Sequence, residues 1–503
     1  MEDPRTTSGG GRPDGKRRWK TLSHRGVLLP EPYRPHGRPV VWRATGAEVR
    51  LPPVAEEMIT EFVRRGGRAP STGPPTLFGR AGPAAAFWGD WRAELPASCP
   101  IRSLAGCDLS RVAEAAMRMN VRARPRGTPP QATATVDGRP QPVSPFAVDR
   151  PGIFSGRNAS AALSGRYRRR LTAADVTLNL GPVSTGKRRW GGVVSDPTVD
   201  WIAKWRDPLT GVVKYARLSP ASSGEQVSDR TKHETARSAS EALPALRRRT
   251  NGLLSNGADA RGRQLGACLW LVDRLALRPG TGGDDGAARA GAFGAATLQV
   301  GHVKTGAKGG FTLDFPGKDG VRYLRSVPNA PEAVTSALRD AGRGKAASSP
   351  LFDLITSEDV NREISAAIPG ATARVLRTAH ASAEFRRALD EDRTDDTRLA
   401  LLRAGARVAA LCNHRVRGRG YPGTGYGDLR ELETAIDRAS HDVRALAGIV
   451  RSSGLSLATS RANYVDPRIA AGYLARRGVA PERAFPASLR KRFKWAIDEV
   501  SAK

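Results

Sequence analysis

Five residues in the second half of the chain have side chains suited to cleaving a phosphodiester with a protein nucleophile. Such a reaction needs an oxygen that attacks phosphorus, cations around the pentavalent phosphorus, and an acid that protonates the departing alkoxide. Tyrosine can attack without a metal, and its phosphotyrosine linkage keeps the bond energy for resealing. The residues that could serve are Arg278, Lys318, Arg377, His414 and Tyr464.

The cations among these five differ in what they can do. Arginine forms bidentate bonds to phosphate and stays charged, whereas lysine can release a proton, so lysine suits the acid. Because the chain uses arginine for 68 of its 81 cationic residues, Lys318 in a Gly-Lys-Asp-Gly turn departs from that habit. Each residue alone also has a structural explanation, as a cap, a solvated charge or a packed aromatic. Sequence separation leaves both explanations open.

The elements that carry these residues can be predicted locally. Three β-type runs over residues 295–327, "ATLQVGHVK", "FTLDF" and "VRYLRSV", are separated by turn-rich segments. They predict an antiparallel meander with Lys318 at the tip of its second turn. Helical spacing upstream predicts a helix stopped by Pro279 and Gly280, with Arg278 at its end. Helical spacing in "LALLRAGARVAALCNH" places His414 in or just past a last turn.

Two further patterns concern the region around the tyrosine. Asp466 and Pro467 predict a helix N-terminus two residues after Tyr464, because aspartate caps helices and proline favours their first position. Residues 428–451 have apolar side chains at alternating spacings of three and four, which predict one coiled-coil-like helix. That helix would have about 24 residues and span roughly 36 Å.

The composition bounds the class of protein. With 503 residues, two or three domains are expected, and a formal charge of +32 indicates a polyanionic partner, most simply nucleic acid. No run approaches the roughly 20 apolar residues of a membrane span. The polar N-terminus does not resemble a signal peptide, and the four cysteines show no metal spacing, so a reducing compartment is expected. The segment "GPVSTGKR" at 181–188 resembles a phosphate loop, but Arg188 stands where a hydroxyl must bind Mg²⁺.

Several segments, in order along the chain, resemble the eukaryotic type IB DNA topoisomerases. "WKTLSHRGVLLPEPYRP", "FWGDWRAEL" and "DRPGIFSGR" resemble the family's cap, and "KYARLSPASS" resembles the start of its catalytic domain. "LALRPG", "FPGKDGVRY", "RVLRTAHAS", "LCNH" and "SRANYVDPRI" resemble its five catalytic segments. The chain departs from the family at Ser155, where a basic residue is usual, after Arg278, where an asparagine is lost, and in the short interval from His414 to Tyr464.

The resemblance implies a role for each of the five residues. Tyr464 would be the nucleophile and Lys318 the general acid for the 5′-oxygen, while Arg278, Arg377 and His414 would stabilise the transition state. The implied activity relaxes supercoiled DNA through a 3′-phosphotyrosine, strand swivelling and religation. It uses no ATP, no cofactor and no obligatory metal.

The resemblance also implies partners and an architecture. We expect a monomer that binds double-stranded DNA mainly through phosphates, in the nucleus or, if virus-encoded, in a viral particle or replication compartment. Camptothecin-type inhibitors would contact Phe154, Gly156, Arg157, Asp319 and Asn463. The positions that match DNA contacts are Arg157, Lys214, Asp319, Arg374, Arg461 and Asn463.

The expected fold is an α+β multidomain protein. A mixed α/β cap region and a mostly helical catalytic domain with a small antiparallel sheet would form a clamp around DNA. The expected divisions are a disordered tail (1–15), a DNA-binding cap (16–198), a catalytic core (199–414), a short linker with one long helix (415–452) and a C-terminal domain with the tyrosine (453–503).

Two other functions fit part of the pattern. A tyrosine recombinase shares the chemistry, but that family usually has histidine three residues before the second arginine, where this chain has Arg374. A non-catalytic basic DNA clamp would explain the charge, yet a binding module has no need of a nucleophile. Both alternatives are weaker than the topoisomerase prediction.

Overall fold

The computed structural model describes residues 17–119, 129–155, 163–181, 190–255, 259–280, 292–306, 309–415, 428–439 and 442–502. The chain divides into two compact units, one ending at Glu225 and one beginning at Gln226. The predicted tail (1–15) and most of the "GPVSTGKR" segment lie outside the described residues.

The described part of the first unit is built from short strands and helices. Its strands are β1 (Leu22–His24), β2 (Val40–Trp42), β3 (Ala47–Val49), β4 (Cys107–Asp108), β5 (Thr133–Val136), β6 (Arg139–Pro142), β7 (Gly152–Ile153), β8 (Tyr167–Arg168), β9 (Val176–Asn179), β10 (Gly192–Val194), β11 (Trp201–Arg206) and β12 (Val213–Arg217). Its helices are α1 (Pro53–Arg64), α2 (Ala81–Ala93) and α3 (Ser110–Arg118).

These strands form several small sheets. The strand orders are β3-β2-β4, β1-β5-β6 and β10-β9-β11-β12, with β7 paired to β8. All pairs are antiparallel except β10 with β9. One core packs the three helices around Phe62, Phe87 and Trp91, and a second lies beneath the β1 and β9 sheets. Strands β11 and β12 form an antiparallel pair joined by the turn that contains Asp207 and Pro208.

The second unit is mainly helical. Its helices are α4 (Ser223–Leu253, which starts at the unit boundary), α5 (Ala260–Arg274), α6 (Glu332–Gly342), α7 (Ser357–Ala367), α8 (Ala373–Asp390), α9 (Thr397–Leu411), α10 (Leu429–Arg438), α11 (Val443–Ser453), α12 (Leu457–Tyr464), α13 (Pro467–Ala475), α14 (Ala487–Arg490) and α15 (Lys494–Ser501). Its strands are β13 (Val303–Thr305), β14 (Phe311–Pro316) and β15 (Arg322–Val327).

Two hydrophobic cores hold this unit together. The larger core packs α5, α6, α7 and α10 around the three-stranded sheet, and the smaller one packs α12 and α13 around Phe385 and Phe493. Helices α8 and α9 contribute side chains to both cores. They therefore join the sheet to the segment that carries Tyr464.

Three sequence predictions need correction here. Helix α5 ends at Arg274, four residues before Arg278, because Ala276 adopts a positive φ of 48° that a helix cannot continue. The first predicted β run is strand only at Val303–Thr305, and 3-10 turns precede it. The antiparallel meander itself, in the order β13-β14-β15, is confirmed.

The third correction concerns the linker, where two helices replace the single predicted one. Helix α10 ends at Arg438, and α11 starts anew because the Asp442 carboxylate accepts hydrogen bonds from the backbone N–H groups of Arg444 and Ala445. Val443, one of the apolar residues whose spacing predicted a single helix over 428–451, is 45% exposed. The apolar spacing in the sequence continues from α10 into α11, but the Asp442 cap starts a new helix within it.

None of the helices within the described ranges is both long and apolar enough to cross a membrane.

Candidate active site

Four of the five predicted residues line one cavity in the second unit. Arg278, Lys318, Arg377 and His414 surround a space of about 120 Å³. They come from four separate segments: the chain after α5, the β14–β15 turn, helix α8, and the chain after α9. The structure thus brings together residues that sequence spacing could not connect.

Tyr464 contacts three of these residues. The Arg278 guanidinium donates a hydrogen bond of 2.9 Å to the phenol oxygen. The guanidinium carbon of Arg377 lies 5.0 Å from the centroid of the phenol ring, and the His414 ring meets it edge-on at 6.3 Å between centroids. Because a charged donor already faces the phenol oxygen, negative charge that develops there is stabilised.

Arg377 also holds the backbone of the site. Its side chain is buried and donates to the carbonyl oxygens of Ala276 and Cys412. Ala276 and Asn413, which follows Cys412, have positive φ angles of 48° and 40°, a conformation that costs side-chain-bearing residues energy. One guanidinium therefore ties together the two strained segments that present Arg278 and His414.

Lys318 extends from the tip of a tight hairpin. Strands β14 and β15 pair from Phe311 with Val327 to Pro316 with Arg322, and the turn between them closes through Gly320 at a φ of 68°. The Asn413 side-chain amide donates 3.0 Å to the Arg322 carbonyl, so the hairpin is bonded to the segment that carries His414. Lys318 lies at this tip, as predicted, and its side chain is exposed.

His414 lies just past the end of α9, as predicted. Its backbone N–H donates to the Ala409 carbonyl at 2.8 Å, and its own carbonyl accepts from Ser456 N–H at 2.8 Å. Because Ser456 immediately precedes α12, this bond fixes the distance between the histidine and the helix that ends at the tyrosine.

Tyr464 is the last residue of α12, and Asp466 caps the next helix. The Asp466 carboxylate accepts from Arg468 N–H and Pro467 occupies the first turn of α13, which confirms the predicted cap. Between the two helices, the Ser382 hydroxyl contacts the backbone on both sides of Val465. Sequence reasoning missed Ser382, because nothing in its local spacing indicates a contact with residues 464–466.

The site is electropositive. Burial, followed by the nearby charge of Arg377, lowers the pKa of Arg278. Within the described ranges, no carboxylate forms an ion pair with Arg278 or Arg377, and none lines the cavity. Cations without a protein counterion favour an anionic ligand such as a phosphodiester.

The residues matched to DNA contacts lie in varied surroundings. Lys214, in the first unit, forms ion pairs with Asp149 and Asp207 at 2.7 and 2.9 Å. Arg374 is exposed one turn before Arg377 on α8. Arg157 and Gly156 lie outside the described residues, and only the backbone of Asp319, within the lysine turn, is described.

Two of these residues, Arg461 and Asn463, precede Tyr464 on α12. Arg461 packs inward: it donates to the Ala484 carbonyl at 2.7 Å and lies over the Phe385 ring, and burial lowers its pKa to about 10. Asn463 is half-buried, and its carbonyl accepts from the Lys232 ammonium at 3.4 Å. The DNA contacts of all six matched residues stay predictions.

In the part of the chain that the structure describes, no three His, Cys, Asp or Glu side chains are grouped to hold a metal ion.

Three family models match consecutive parts of the chain. "Eukaryotic DNA topoisomerase I, DNA binding fragment" matches residues 17–218, "Eukaryotic DNA topoisomerase I, catalytic core" matches 221–447, and "C-terminal topoisomerase domain" matches 451–503. Together they leave only short segments unmatched.

Similar curated proteins include DNA topoisomerase 1 alpha of Arabidopsis thaliana, with 29% identity over 96% of this chain and 59% of that protein. DNA topoisomerase 1 of Candidozyma auris is 30% identical over 80% of this chain and 56% of its own length. The human protein named DNA topoisomerase I, mitochondrial, is 28% identical over 95% of this chain and 90% of its own. The chain thus spans less than two thirds of the first two relatives. Its three consecutive matches and near full-length similarity show that it belongs to the eukaryotic type IB DNA topoisomerase I family.

Proposed function

We propose that this chain is a type IB DNA topoisomerase, which relaxes supercoiled double-stranded DNA by nicking one strand, letting it swivel and resealing it. The observation that carries the proposal is the Tyr464 phenol, whose oxygen lies 2.9 Å from the Arg278 guanidinium and whose ring contacts Arg377 and His414. A phosphate bound by these cations would meet the phenol as its nearest nucleophile.

The catalytic roles follow from this arrangement. The Tyr464 oxygen attacks phosphorus and gives its proton to solvent water as the new bond forms, while the bond from phosphorus to the 5′-oxygen breaks. Lys318 gives a proton to that oxygen, and Arg278, Arg377 and His414 stabilise the charge on the non-bridging oxygens. Religation reverses each step, so the reaction uses no ATP and no obligatory metal.

Binding is proposed to depend mainly on phosphates. The charge of +32 supports this, because neutralising phosphates with arginine releases counterions and gives sequence-tolerant, salt-sensitive affinity. We place the DNA-binding cap, the catalytic core, the short linker and the C-terminal domain at 16–198, 199–414, 415–452 and 453–503, closing as a clamp on DNA. The proposed contacts are Arg157, Lys214, Asp319, Arg374, Arg461 and Asn463.

The proposal extends to cellular context and inhibitors. A monomer acting in the nucleus, or in a viral compartment if virus-encoded, fits a basic enzyme of this family. Camptothecin-type compounds would bind next to the nick, at the end of α12 where Asn463 precedes the nucleophile. Two similar proteins are named as mitochondrial, so the mitochondrion is a second candidate compartment for this activity.

The test is relaxation of supercoiled plasmid in EDTA without ATP. The wild type is expected to relax the plasmid, and Tyr464→Phe is expected to bind DNA without relaxing it. Tyr473→Phe is the matched control, because Tyr473 is buried in α13 and its hydroxyl has no hydrogen-bond partner among the described residues. Relaxation by Tyr464→Phe would refute the assignment of the nucleophile.

The same assay separates the alternatives. A DNA clamp without catalytic activity would bind plasmid and leave its supercoiling unchanged. A tyrosine recombinase would join strands from two different duplexes, which appears as products of new length when two labelled duplexes are mixed.

A further inference from the structure

The hydroxyl of Ser382 forms hydrogen bonds on both sides of one peptide segment. It donates to the Tyr464 carbonyl at 3.2 Å and accepts from the Asp466 N–H at 3.0 Å. Val465 lies between these two groups, so one side chain spans the junction from α12 to α13. Both groups are at helix ends, where backbone polar groups lack intrahelical partners.

Other hydroxyls within helices behave differently. Serine and threonine within a helix commonly bond to the carbonyl four residues earlier in the same helix. Thr378 does so one turn before Ser382, donating to the Arg374 carbonyl at 3.1 Å, and Ser460 on α12 donates to the Ser456 carbonyl at 2.8 Å. Ser382 instead bonds to a segment 82 residues away.

Helix α8 therefore contacts Tyr464 at two places. Arg377 lies over its ring, and Ser382, five residues later, holds its main chain. Five residues correspond to roughly 7.5 Å along a helix, so the contacts have separate positions on one rigid element. The Val465 N–H bond to the Arg461 carbonyl, at 3.1 Å, belongs to α12 itself and does not fix that helix against α8.

We infer that Ser382 is a positioning residue for the nucleophile: its hydroxyl fixes the Tyr464 main chain relative to Arg377, so that the phenol oxygen stays aligned with the phosphate. The inference rests on the proposed function, since it concerns the same reaction. Small misplacements of a reacting group reduce rates steeply, whereas affinity for a large DNA surface does not depend on this one junction.

The experiment measures single-turnover cleavage of a DNA duplex designed so that the nicked product is trapped and cannot be resealed. It also measures the equilibrium affinity for an intact duplex. Ser382→Ala removes both bonds, and Ser382→Cys fills the space with a weak donor and acceptor. Both are expected to slow cleavage roughly 10- to 100-fold with little change in Kd. Ser382→Thr keeps the hydroxyl and is expected to recover the rate to within about threefold.

The matched control is Ser255→Ala. In the described part of the chain, the Ser255 hydroxyl donates to the nearby Gly252 carbonyl at 2.8 Å, so this variant loses a local bond and should cleave like the wild type. Hydrogen exchange at the Asp466 amide adds a readout that does not need activity. It should quicken in Ser382→Ala and Ser382→Cys, and stay at the wild-type rate in Ser255→Ala.

The outcomes separate the inference from the proposed function. A wild type that does not cleave refutes the proposed function, and unchanged Asp466 exchange in Ser382→Ala then refutes the hydroxyl contact as well. If the wild type is active and both Ser382→Ala and Ser382→Cys cleave at the wild-type rate, the positioning role is overturned. Equal losses of cleavage and affinity, without rescue by Ser382→Thr, would show a purely structural role.

Discussion

The two active-site arginines should respond differently to the same substitution. Arg377→Lys is expected to reduce both stability and cleavage, whereas Arg278→Lys is expected to reduce cleavage alone. The reason is that Arg377 bonds to two backbone carbonyls, whereas Arg278, within the described ranges, donates to the phenol oxygen. Lysine keeps the charge but presents a single ammonium in place of the guanidinium fork.

The magnitudes follow from the bonds lost. A lysine at position 377 can reach one of the carbonyls of Ala276 and Cys412, and a hydrogen bond from a charged donor is worth about 1.5–3 kcal/mol. For the mainly helical second unit, that loss lowers the unfolding midpoint by roughly 3–12 °C. A lysine at position 278 can still donate a hydrogen bond to the Tyr464 oxygen, so we expect its free energy of unfolding to fall by at most about 1 kcal/mol.

Calorimetry and single-turnover cleavage together test this difference. Because the chain has two compact units, the transition that shifts must be assigned to the second one. Under the proposed mechanism, both variants should cleave about 10²- to 10³-fold more slowly, since a lysine ammonium replaces the guanidinium fork that would stabilise the developing phosphoryl charge. The reasoning is refuted if Arg377→Lys melts with the wild type, or if Arg278→Lys is the less stable of the two.

Two further predictions concern the acid and a buried histidine. Lys318→Ala should slow cleavage about 10²- to 10⁴-fold, and replacing the 5′-bridging oxygen by sulfur should suppress the defect, because a thiolate leaves without a proton. The control is Lys304→Ala, because Lys304 is an exposed lysine on the neighbouring strand β13. Equal cleavage defects in Lys318→Ala and Lys304→Ala would contradict the acid assignment. Burial, assisted by the charge of Lys232, lowers the pKa of His233 from its ordinary 6.5 to about 4, so the unfolded chain binds the proton more tightly. Stability should therefore fall as the pH drops from about 6.5 to about 4, by about 3 kcal/mol, and His233→Phe should remove that part of the pH dependence measured by urea unfolding.

Much of the scaffold around the site could be predicted because its signals are local. Alternating apolar residues and turn-forming glycines predicted the hairpin that carries Lys318, and Asp466 with Pro467 predicted the start of α13. Helical spacing predicted α9 and the place of His414 after it. Two of the three wrong predictions concern helix ends, at Arg274 and between α10 and α11, where a strained residue or a side-chain cap interrupts a pattern that periodicity alone continues. The third concerns the first β run, where 3-10 turns take the place of most of the predicted strand.

The sequence by itself determined the residue types and the order of the five segments proposed to be catalytic, because the residues of each motif are neighbours along the chain. Only the tertiary structure decided how they meet. Arg377 bonds to a carbonyl 101 residues earlier and to another 35 residues later, and Ser382 bonds to one 82 residues later. Such contacts join a side chain to a backbone group, which every residue possesses. They therefore produce no periodicity or composition in the sequence from which they could be predicted. They form because the packing of α8 against α5, α9 and α12 brings those carbonyls within reach.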